Sequence, residues 1–205
     1  MASFAAITGG AIAIAGSSSP ETGPERMQGE VATVDARIGK AFGLFRSDEL
    51  QVKHAFSKID QNPFGQNTGL SRAVPVSRGG AVYVIPGNDA ICLGDNVNYG
   101  HTCVSVDTAI AGGLYLITLG DPKEPYTSVS GLAPDGVARV SIELSSGQSV
   151  RVPVSNNVFD FKFAGVEPAV TGISWTNAAG QRVAQQFPDG GIRRPSTRAV
   201  DPTGR

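Results

Sequence analysis

The sequence predicts a mainly β protein, an antiparallel β-sandwich or small barrel with an N-terminal helical segment. Three observations carry this expectation. From Ala81 onward apolar residues alternate with period two in short runs rich in β-branched and aromatic side chains. Gly, Pro, Asn and Asp punctuate those runs, and with 26 Gly and 13 Pro in 205 residues the chain is well supplied with turn formers. Charged residues make up only 17%, which suits strands with one buried face better than a solvated helical bundle.

The elements follow in order. Residues 1–28 form a leader, expected to be disordered and a candidate signal peptide. Its apolar run Phe4–Ala15 has the length of a signal h-region and is short for a membrane span. Ala13 and Ala15 give the small-x-small pattern of a cleavage site, although no basic residue precedes Arg26. Residues 29–64 read as helical: Val31, Val34, Ile38, Phe42 and Phe45 form one stripe, and Ser47 can cap a restart through Leu50, Phe56 and Ile59, with His54 on its exposed side. "QNPFGQNTGL" then breaks the helical period.

The β domain is expected over 65–187, with eight or nine strands after Ala81. "AVYVIPG", "AICLG", "TCVSV" and "GLYLITLG" are the first of them. In "VARVSIEL" the residues Ala138, Val140, Ile142 and Leu144 share a face; "SSGQ" makes a tight turn at Gly147, and Val150, Val152 and Val154 return. Pro153 marks that return strand as an edge. After "SNN", Phe159, Phe161 and Phe163 complete an expected three-stranded meander. "TGISWTNAAGQRVAQQF" adds a hairpin turning at Asn177–Gly180. Residues 188–205 form an arginine-containing, disordered tail.

The formal net charge of −1 offers no basic surplus for phosphates, so no nucleic-acid partner is expected. The most chemical-looking stretch is "ICLGDNVNYGHTC", which holds both cysteines and His101. Cys92 and Cys103 sit on two strands joined by a loop, and the first expectation is a disulfide closing that hairpin. A zinc site built from Cys92, Cys103, His101 and Asp95 is weaker, for it lacks the paired C-x2-C spacing. A thiol nucleophile at Cys103 is weaker again, since His101 two residues along one strand is poorly placed as its base. No G-x-S-x-G elbow or phosphate loop occurs, and the aspartates mostly fall at turns. Glu143 and Asp160 could face each other across strands at glycosidase spacing, a juxtaposition any meander offers by chance. Asp135 in "LAPDGV" reads as a turn residue.

The segment "GLAPDGVARVSIELSSGQSVRVPVSNNVFDFKF", with "FGLFR", "NPFGQNTGLSRAV", "VYVIPG" and "ISWTNAAGQRV" in the same order, resembles a recurrent segment of exported or envelope-associated β-rich proteins of high-GC Gram-positive bacteria. The resemblance spans about Ala41 to Val183. It implies an export route, a Cys92–Cys103 pair and a β-rich ectodomain; it implies no activity, substrate or catalytic residue. The expectation is therefore a non-enzymatic extracytoplasmic domain, secreted or envelope-associated, without cofactor or metal. Its partner would be a protein or envelope component, met through the loop residues Asp95, Asn96, Asn98, Tyr99 and His101. Membrane contact would come only through the leader. An extracytoplasmic hydrolase acting on a glycan or peptide is the alternative.

Overall fold

The β1–β4 strands Arg72–Pro75, Ala81–Gly87, Ala90–Asp95 and His101–Ser105 form an antiparallel sheet in that order. After a helix at Val106–Gly112 come β5 (Leu114–Leu119), β6 (Tyr126–Leu132), β7 (Arg139–Leu144), β8 (Ser149–Pro153), β9 (Val158–Ala164), β10 (Val170–Thr176) and β11 (Arg182–Gln186). These make a three-stranded sheet β5-β6-β9 and a four-stranded sheet β11-β10-β7-β8, all antiparallel. The computed structural model describes residues 33–52, 64–77, 79–95, 101–120, 123 and 125–187. The expected leader, the restarted helix beyond Val52 with His54, the loop 96–100 and the tail lie outside them.

Two cores explain the layering. Alternate residues of β5, β6 and β9 point to opposite faces of their sheet. On one face Val129 and Phe159, with Phe161 and Phe163 beside them, pack on Val140, Ile142, Val152, Ile173 and Trp175 of the four-stranded sheet β11-β10-β7-β8. On the other, Leu114, Leu132 and Val158 join Val74, Val82, Val84, Ile91 and Leu93 of the β1–β4 sheet. The β5-β6-β9 sheet thus has apolar partners on both faces, and the sandwich carries a third layer.

Among the described residues of the expected helical segment, helix occurs at α1 (Ala36–Ala41) and as a 3-10 turn at Gly43–Phe45. The stripe is real, since Ile38, Phe42 and Phe45 are buried in the first core. Yet the helix stops because side chains capture its next donors. Gly43 N–H donates to Asp135 Oδ1 at 2.8 Å and Leu44 N–H to Asn157 Oδ1 at 3.0 Å, in place of carbonyls one turn back. The restart at Ser47 fails over the described residues 47–52, which instead lie along β1: Val52 N–H donates to Ser71 O and Ala73 N–H to Leu50 O. Buried Arg72 fixes this course by donating to the carbonyls of Leu44, Ser47 and Leu70. A second helix, α2 (Val106–Gly112), takes the end of "TCVSV"; Ser105 Oγ caps it by accepting from Thr108 N–H.

The predicted meander is corrected in the same way. β7 and β8 pair around the expected Gly147 turn (φ 81°), but β9 leaves β8 for β6. Asn156 and Asn157 both take left-handed φ, 47° and 63°, and turn the chain from one sheet to the other. Strand β7 begins at Arg139, so Ala138 is exposed rather than part of the core face. Ten strands rather than eight or nine lie between Ala81 and Phe187 among the described residues. Pro153 lies on β8, at the sheet edge, as expected, and β10–β11 close the hairpin at Asn177–Gly180.

Candidate functional site

The predicted site is the β3–β4 hairpin. Its register puts Cys92 directly opposite Cys103, with Cα atoms 4.1 Å apart and sulfurs bonded at 2.06 Å. Neither cysteine is therefore available as a thiolate ligand or nucleophile. The same register sets His101 opposite Gly94, so Asp95 lies on the other face of the sheet. His101 is exposed while Asp95 is buried. The structure thus consumes both cysteines of the weaker zinc expectation and sets Asp95 on the opposite face from His101, and no cluster of metal-ligating side chains occurs among the described residues. Of the expected binding loop, Asn96, Asn98 and Tyr99 lie outside the described residues. The disulfide is covered by the connection before β1: Gln66, itself 1% exposed, donates from Nε2 to both sulfurs at 3.2 and 3.3 Å.

A different feature has the shape of a site. Along β9, the edge of its sheet, runs an open cleft of about 560 Å³, within the usual range for ligand pockets. Asp160, Phe161, Lys162, Phe163 and Ala164 line it, together with Pro125, Tyr126 and Ser77 of the β1–β2 turn. Phe161 and Phe163 are half-buried, their ring centroids 5.7 Å apart, and both border the cleft while packing on the second core. The Lys162 ammonium lies 4.0 Å above the Tyr126 ring. Asp160 Oδ1 accepts from Ser130 Oγ at 2.7 Å. Such a lining can hold apolar side chains against rings while a cation reads charge. It brings a single carboxylate, without histidine or cysteine, from the described residues. Glu143 does not join Asp160: it lies in the β7 sheet, bonded to Arg182 and Gln186.

Asp135 of "PDGV", expected as a turn residue, also ties neighbouring segments together. Asp135 accepts from Gly43 N–H and from Asn157 Nδ2 at 2.9 Å, and pairs with Arg46 at 2.7 Å. Burial pushes the Asp135 carboxyl up, but the donations from Asn157, Gly43 and Arg46 together outweigh it and hold it below its ordinary value. A parallel cluster sets Arg37 against Asp35, Asp89 and Asp107, pinning α1 to the β2–β3 turn and the start of α2.

Sequence reasoning missed the cleft because it assigned Phe161 and Phe163 wholly to the core. The usable signal was "DFKFA", where charged and aromatic residues alternate on a strand that leaves its expected neighbour. Fold and site together define a disulfide-closed, all-antiparallel β domain with an aromatic cleft at a sheet edge. Comparison with family models, curated proteins and solved structures returned no match.

Proposed function

We propose that the protein is a non-enzymatic extracytoplasmic recognition domain that binds a protein component through the β9 cleft. The observation that carries this reading is the lining itself: half-buried Phe161 and Phe163 on one face of β9, and Lys162 stacked on Tyr126 on the other, border one open groove. A glycosidase of the usual kind needs two carboxyl groups, and Asp160 is the one carboxylate that the described lining supplies. The disulfide, buried at Cys92, suits an oxidising compartment. No helix of the described residues is long and apolar enough to cross a membrane.

The test is to pan a displayed peptide library over the oxidised protein, then compare Lys162→Glu and Phe163→Ser variants of unchanged thermal midpoint. Enriched peptides should lose at least tenfold in affinity on both variants. No enrichment, or peptides indifferent to both changes, would refute the cleft as the recognition site. Intact mass of the protein made in its host, with and without reductant, tests the compartment. A full-length chain with two free thiols would remove the extracytoplasmic reading.

A further inference from the structure

The lining of the cleft is unusual in one respect: residues 160–164 all contribute, although their side chains alternate between the two faces of the sheet. A cavity lined by five consecutive residues of one strand meets its main chain as well as its side chains, and β9 is an edge strand whose outer backbone groups are presented there. Which backbone groups these are follows from the ladder. Gly165 N–H donates to Pro125 O at 2.7 Å and Ala133 N–H to Asn157 O at 2.8 Å. Both bonds fit the register that pairs Tyr126 with Ala164 and Leu132 with Val158. Hydrogen-bonded and open pairs alternate in an antiparallel ladder, so Phe159, Phe161 and Phe163 direct their N–H and C=O groups to β6. Lys162 and Ala164 direct theirs outward, into the cleft.

A lysine in the middle of an edge strand is a common guard against pairing with another strand. Here the Lys162 ammonium rests on the Tyr126 ring of the adjacent strand instead of reaching over the edge. Ser77 of the β1–β2 turn also borders this open cleft, which runs beside five consecutive residues of one strand, a length that suits an extended segment.

Resting on the recognition reading above, we infer that the cleft binds its partner by strand addition, as an extended peptide segment antiparallel to β9. The side-chain pattern that fits is apolar, acidic, apolar. The acidic residue sits opposite Lys162, where the charges are complementary, and the apolar residues lie beside Phe163 and Phe161.

The probe is the labelled hexapeptide acetyl-TVEVKT-amide, with one copy N-methylated at its glutamate and another at its second valine. In the added strand the glutamate N–H faces β9 and the valine N–H faces away. The parent and the valine-methylated peptide should bind alike within about twofold, and the glutamate-methylated one at least tenfold more weakly. On the protein, Lys162→Pro removes an N–H that the β6 ladder does not use, so it should fold like the parent and lose peptide binding at least tenfold. Lys162→Gln keeps that N–H and should lose only a few-fold. Equal binding of the two methylated peptides, undiminished binding by a folded Lys162→Pro variant, or no binding of the parent peptide would each overturn strand addition. Library-selected ligands that depend on Phe163 but tolerate Lys162→Pro would leave the recognition site standing and remove only this mode. A dimer in sedimentation that Lys162→Pro dissociates would assign the edge to a second copy and equally overturn the proposal.

Discussion

Asn157 Nδ2 donates to Asp135 Oδ1 over 2.9 Å, and the two side chains between them take the N–H groups of Leu44 and Gly43. A turn before β7, a turn before β9 and the end of α1 meet at this pair. Asn157 also donates to Ala133 O, so almost every polar atom of its amide is used within a buried setting. Removing it leaves the Leu44 N–H without its acceptor, the costly case for a hydrogen bond. Asn157→Ala should destabilise the protein by about 3 kcal/mol, part of it from placing alanine at φ 63°. Asn157→Gly should cost less, because the backbone strain is absent while the lost bonds are the same. Asp135→Ala should cost about 1–2 kcal/mol, and the double variant less than the sum of the singles. Urea titration of the four proteins measures the coupling, and strict additivity would show that the pair does not act as a unit.

The same carboxylate sets a pH dependence. Its pKa in the folded chain is lowered, so its contribution is fully present above the unfolded value of about 3.9 and is lost as pH falls through the folded value. Asp35, lowered chiefly by the Arg37 guanidinium, has the same sign. Asp135→Asn keeps an acceptor for Gly43 but cannot titrate. Its stability deficit should be constant from neutral pH down to about 4 and shrink below that. Urea midpoints between pH 7 and 2.5 would show it; a deficit that persists unchanged at the acid end would remove Asp135 from the acid limb.

The disulfide closes a short loop, with 11 residues of sequence separation. On the chain-entropy model such a bridge contributes about 3 kcal/mol. The double substitution of Cys92 and Cys103 by alanine should therefore lower the melting temperature by roughly 6–12 °C for a chain of this size. Calorimetry decides it, and an unchanged midpoint would mean that the hairpin register holds without the bridge.

How much of this was legible beforehand depends on which interactions are local. The β7–β8 hairpin, the Asn177–Gly180 turn and the Cys92–Cys103 pairing were readable because period-two runs and turn residues lie next to each other in the chain. The truncation of α1 was not, since the side chains that intercept its donors, Asp135 and Asn157, lie 92 and 113 residues from Gly43 and Leu44. The course of residues 47–52 escaped for a like reason: Arg72, which gathers their carbonyls, belongs to a strand the helical period could not foresee. "FGLFR", "PDGV" and "NNV" stood out as folding motifs, and the structure shows them as one contact. Phe161 and Phe163 were rightly placed on one face, but their share in the cleft depended on β9 becoming a sheet edge, which no local pattern announces.

Gly131 provides the most severe single-residue test of the β5-β6-β9 sheet. It lies directly opposite Phe159 on β9, and the phenyl ring folds over its Cα, so that a methyl group there would overlap Phe159 Cζ and Cε1. Leu114 O closes the remaining side at 2.9 Å. Phe159 is 2% exposed and packed in the core shared with the β7 sheet, so it has little room to move. Gly131→Ala should then destabilise by about 3 kcal/mol through overpacking, despite replacing glycine in a strand, a change that usually helps. Adding Phe159→Leu should recover part of the loss, because the shorter side chain clears the new methyl while still filling most of the core. Denaturant unfolding of the two single variants and the double measures the recovery. A double variant as unstable as the sum of the singles would show that the Leu114 carbonyl, not the Phe159 ring, excludes a side chain at Gly131.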